Sequence, residues 1–153
     1  MLKLNSFINE LENNILLFDK INTKISSSTV GWHIEHSLKV VIQITEALEK
    51  SNPNDYKWRF NTWRTIVLTS GKIPRGRGKA PKTVIPEGEL NMETLKLTIE
   101  KSRLSVKKID NLSENNYFKH PYFGNLNLKA TKTFLAIHTN HHLKIIKDII
   151  KEF

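Results

Sequence analysis

Two histidines four residues apart, His138 and His142, lie inside the apolar stripe of the last segment of the chain. At about 100° per residue, Thr131, Phe134, Leu135, His138, His142, Ile145 and Ile149 fall within a helical sector of roughly 100°. Both imidazoles therefore sit on the buried side, one turn apart. A buried neutral imidazole has two ring nitrogens to satisfy. Leaving one unpaired costs about 1–3 kcal/mol. A shared metal ion removes one lone pair on each ring and leaves the other nitrogen for a hydrogen bond. The chain must then bring this helix against another element that carries further ligands. His33 and His36, far upstream, are the available pair, and periodicity leaves open which of them serves. His33 falls closer to the middle of its apolar face, which favours it on geometry alone.

The rest of the sequence reads as helices joined by two irregular stretches. Leu4, Phe7, Ile8, Leu11, Ile15 and Phe18 recur at three-to-four spacing and predict a first helix over about 3–21. Ser26 to Thr29 is a polar connector rich in N-cap residues. A second helix is expected over about 30–50, with Val30, Ile34, Leu38, Val41, Ile44 and Leu48 inward. Glu35, Lys39, Glu46 and Glu49 are placed on its opposite, polar side. Trp32 lies one turn before His36, and Ser51-Asn52-Pro53-Asn54 ends the helix. The aromatic-rich stretch 55–69 predicts a shorter helix or a helical crossover, stopped at Gly71. Asn91 caps a further helix to about residue 110, residues 111–127 read as a loop, and the last helix starts near Asn127. Four long amphipathic segments without an alternating strand pattern predict an all-α fold. The expected architecture is a four-helix bundle in one domain over 1–153, with a long crossover between the second and third main helices.

That crossover, at about 72–89, is dense in Pro and Gly and carries the one local cluster of basic residues. Arg75 and Arg77 are candidates to bind an anion or an acidic substrate there. The stretch lacks the Gly-Lys-Ser/Thr ending of a P-loop. The net charge of +9 is otherwise spread along the chain and dominated by Lys, the pattern of a solvated surface. Nucleic-acid binding is accordingly the weakest of the functional readings. The absence of Cys excludes disulfides, thiolate-ligated zinc, iron–sulfur clusters and a Cys nucleophile. No apolar leader and no segment long enough to span a bilayer is visible, so a cytoplasmic location away from membranes is expected.

The stretch Trp32-His33-Ile34-Glu35-His36 together with His138-x-x-x-His142 resembles the DinB-like superfamily of four-helix metalloproteins. Ile73-Pro74-Arg75-Gly76 and His120-Pro121-Tyr122-Phe123-Gly124-Asn125-Leu126 resemble one uncharacterised branch of it. In that family one His near the start of the second helix and two on the last helix hold a divalent metal. The resemblance thus implies His36, His138 and His142 as ligands, and puts His33 beside them or in the core. Three imidazoles with open positions suit zinc or nickel, with iron or manganese as alternatives. The resemblance also implies hydrolase or thiol S-transferase chemistry on a small molecule, with a low-molecular-weight thiol as cosubstrate, and a homodimer. His33, His120, Tyr122 and His141 are candidates for proton transfer or substrate contact. The alternative to an enzyme is a non-catalytic metal- or ligand-binding bundle.

Overall fold

Local signals set most of the element boundaries. The computed structural model describes residues 2–76, 80–151 and 153. Helix α1 covers Leu2–Asn13, α2 Val30–Lys50, α3 Thr62–Ser70, α4 Met92–Ile109 and α5 Leu128–Ile150. A polar side chain caps four of them: Thr29 accepts from the Trp32 N–H, Asn61 from Arg64, Asn91 from Thr94 and Asn127 from Ala130. At Asn91 the Thr94 hydroxyl also accepts from the Asn91 N–H, closing a capping box. Gly71 ends α3 at φ 65°, a left-handed conformation that a side chain would strain.

The first helix is shorter than its apolar spacing predicts. It ends at Asn13, and Ile15–Leu17 form a tighter 3-10 turn. The Asn14 side chain donates to the Glu10 carbonyl at 2.7 Å, competing for an acceptor the helix would use. The expected loop at 111–127 also differs, because it contains a small antiparallel hairpin. Strand β1 (Tyr117–His120) pairs with β2 (Gly124–Asn127), with Phe118 opposite Leu126. The strands are too short to display an alternating pattern. The Asn116 amide donates to the Leu48 and Ser51 carbonyls and ties the hairpin to the end of α2.

The structure is mostly helical, and α1, α2, α4 and α5 pack side by side around a shared core. His33 meets His142 and His36 meets His138, so α2 and α5 run antiparallel. Glu35 meets Thr98 and Glu49 meets Lys108, so α2 and α4 run parallel. Parallel neighbours cannot be joined by a tight turn. At 1.5 Å per residue, α2 is roughly 30 Å long, and the chain must travel back that distance before α4 begins. This return is the physical reason for the long crossover at 51–91, which carries α3.

Helix α2 lies between α4 and α5, and both of its flanks are covered. Glu35, expected in solvent, is consequently buried at 7% exposure against α4. Burial raises its pKa, offset in part by Thr98 and Lys39. Leu38, Ile99 and Leu135 are fully enclosed. Leu135→Ala is expected to cost about 2–5 kcal/mol in urea unfolding; a loss under about 1 kcal/mol would contradict this packing. No helix among the described residues is long and apolar enough to cross a membrane.

Candidate metal centre

The antiparallel contact of α2 and α5 brings three imidazoles together. His36, His138 and His142 each offer one ring nitrogen, and these atoms lie within 4.8 Å of one another. They are the only such group of three or more metal-ligating side chains among the described residues. Zinc–nitrogen bonds of about 2.0–2.1 Å in a tetrahedral site put ligand nitrogens about 3.4 Å apart. Small side-chain rotations close that gap.

Hydrogen bonds outside the cluster prepare two of the rings. His36 Nδ1 lies 2.9 Å from the Val84 carbonyl. A carbonyl only accepts, so Nδ1 carries the proton and Nε2 presents a lone pair. His142 Nδ1 lies 3.0 Å from His33 Nδ1, and His33 Nε2 lies 3.0 Å from Ser26 Oγ. When His142 donates to His33 and His33 donates to Ser26, His142 Nε2 is likewise free to ligate. The reverse order would put a proton on His142 Nε2 and exclude a metal there. Val84 belongs to the crossover, which is pinned to α2 again where Gln43 donates to the Thr83 carbonyl. Trp32 stacks on His36 at 4.9 Å and 14°, fixing the ring plane.

His138 Nδ1 is buried and has no hydrogen-bond partner. Burial, with lesser contributions from neighbouring imidazoles, holds the pKa of His138 and His142 well below the ordinary histidine value. Burial also lowers that of His36, partly opposed by the Val84 hydrogen bond. All three are therefore neutral at pH 7 and available as nitrogen donors. A neutral imidazole set with an orphaned buried nitrogen fits a divalent metal ion.

The other sequence candidates are distributed differently. His33 is buried against His142 and is a hydrogen-bond partner within the cluster. Burial pushes its pKa down to about 4. His141 is half-buried beside His142; burial first, then Arg75 and Lys144, lower its pKa, partly opposed by the Ile73 backbone. His120 caps a turn: its Nδ1 accepts from the Tyr122 and Phe123 N–H groups at 3.1 and 3.2 Å. Its ring stacks on Phe123 and meets Phe134 edge-on. Tyr122 is more than half exposed on the hairpin turn and is not brought into the cluster. Arg75 pairs with Asp148 at 2.8 Å, and Arg77 lies outside the described residues.

Sequence reasoning did not single out two contributors, the Val84 carbonyl and the Ser26 hydroxyl. A backbone carbonyl leaves no side-chain signal, and Ser26 is one of several serines in a connector. Nor did it find Arg64, buried at 7%, which donates to the Asn125 and Arg59 carbonyls and lies over Trp58. No family model matches the chain, and neither a curated protein nor a solved structure is similar enough to match it.

Proposed function

We propose that the protein is a metal-dependent enzyme that holds one divalent ion, zinc or nickel, through His36, His138 and His142. The observation that carries this reading is the convergence of the three imidazoles, with a hydrogen bond to the Val84 carbonyl that leaves His36 Nε2 free to ligate. Three protein ligands leave coordination positions open, as catalytic sites do. When bound, the ion supplies Lewis acidity to a water or thiol nucleophile near neutral pH. The DinB-like resemblance of the histidine spacing supports hydrolysis or thiol S-transfer as the reaction class. It also supports a four-helix DinB-like fold, a small-molecule substrate with a low-molecular-weight thiol as cosubstrate, and a homodimer.

The chain's own residues have definable parts in this reading. His33 and Ser26 orient His142, and Val84 orients His36. His141, beside His142, is the candidate to move a proton at the open side. His33→Ala is expected to weaken metal binding by about 10–100-fold without unfolding the protein, read by chelator competition. Unchanged affinity would remove the orienting role.

One observation favours a second reading, a metal-binding protein without catalysis. Glu35, the acid adjacent to His36, turns towards Thr98 and Lys39 on the far side of α2. A panel of esters, amides and thiol–electrophile pairs decides between the two. The enzymatic reading expects turnover of at least one class that a chelator abolishes and added metal restores. Stoichiometric metal without turnover of any class leaves the binding reading.

A further inference from the structure

Two adjoining hollows form a groove along α5, with none of the three clustered imidazoles His36, His138 and His142 in its walls. Its first part, about 310 Å³, lies between α1 and α5 and has Leu4, Phe7, Ala136 and Ile137 in its walls. Its second part, about 180 Å³, lies under the segment that follows α3 and has Lys72, Arg75, His141 and Lys144 in its walls. The two parts share Gly71, Ile137 and Asn140. The first part alone is at the lower end of ligand pockets, about 300–1,000 Å³. On α5 the groove follows one face, with Lys132, Ala136, Asn140 and Lys144 at successive turns.

The first part has most of the apolar wall, with Lys3, Lys132 and Thr133 at its edge, and the second part has most of the basic side chains. No carboxylate lines either part. Lys132 is paired with Asp110 and Arg75 with Asp148. Lys72 and Lys144, in the second part, have no carboxylate partner among the described residues. The half-buried His141 and Asn140 lie beside them. Lys3, at the edge of the first part, lies over the Phe7 ring, and the pair Lys72 and Lys144 with the apolar wall of Leu4, Phe7, Ala136 and Ile137 matches an amphiphilic anion.

We propose that this groove binds an organic acid of modest size, a carboxylate or phosphate on an apolar body. The anionic group lies between Lys72 and Lys144, and the apolar body lies along Phe7, Ala136 and Ile137. The site stands on the groove alone and does not depend on the metal.

Octanoate tests it, with titration calorimetry on the protein as purified. Octanoate is expected to bind one per chain, at least tenfold more tightly than 1-octanol or butyrate. The double variant Lys72→Glu, Lys144→Glu should weaken octanoate at least tenfold while keeping the wild-type circular dichroism. Ala136→Trp, which fills the apolar part, should weaken octanoate to the level of butyrate. His138→Ala should retain octanoate binding, which separates the groove from ligation of the carboxylate by a metal. Octanoate binding that is absent, matched by 1-octanol, lost in His138→Ala or unchanged in the two groove variants would overturn the proposal. So would a concentration-dependent dimer that both groove variants abolish, which would assign the groove to a second copy of the chain.

Discussion

His138→Ala and His142→Ala are each expected to lower the metal content of the purified protein from about one ion per chain to less than about a tenth. Each change leaves two of three imidazole donors, and the loss should exceed the roughly 100-fold upper range for removing an orienting hydrogen bond. Elemental analysis after dialysis against a weak chelator reads it directly. Thermal unfolding of the metal-free proteins separates ligation from packing. His138 carries a buried nitrogen without a partner, so truncation removes an unfavourable group along with some contacts. The metal-free His138→Ala protein should therefore unfold within a few degrees of the metal-free parent. A residue conserving only packing would do the opposite, losing stability and keeping metal. Full metal content in both variants would sink the site.

Acid should destabilise the protein well before its carboxylates titrate. Burial pushes the His120 pKa down to about 4 in the folded chain, from an ordinary value of 6.5. The folded state therefore binds fewer protons than the unfolded state between those values, and stability falls as pH drops through that window. Above pH 6.5 both states are neutral there and nothing is lost. Complete passage through the window costs on the order of 3 kcal/mol for this one group. The geometry agrees, because protonating Nδ1 would displace two backbone N–H donors. Urea unfolding with chelator present at pH 7.5, 5.5 and 4.5 checks the sign. His120→Asn offers an acceptor oxygen at a similar position and does not titrate. It should lose stability at pH 7.5 through the missing ring contacts with Phe123 and Phe134, yet show a shallower decline in acid. A decline as steep as the parent's would show that His120 is not the group responsible.

What the sequence made legible follows from how local each signal is. The start of α2 at Val30, the start of α4 after Asn91 and the stop at Gly71 are written in caps that act within four residues. The end of α1 was not legible, because the apolar spacing continues through Ile15 and Phe18 while Asn14 diverts a carbonyl. Glu35 was misplaced because helical phase describes one helix against one core, whereas α2 is covered on two sides. The same limit applies to the upstream histidines. Phase put His33 deeper than His36, and both are in fact at 4% exposure. Which of them completes the cluster depends on what each faces across α5, a relation no single-segment pattern contains. The part played by the crossover was invisible for another reason: it acts on His36 through the carbonyl of Val84, and a carbonyl is the same at every residue.

The pairing of α2 with α5 joins the two ends of the fold through a contact between residues 109 positions apart. Nearly everything between them, including the crossover, lies inside the loop that an ion at the histidine cluster would close. Such an ion behaves as a removable staple. A protease cut between α3 and α4 would separate the ligands onto two pieces, His36 on one and His138 with His142 on the other. The nicked protein would still be held by the core that the four helices share, and an ion at the cluster would add a second link between the pieces that a chelator removes.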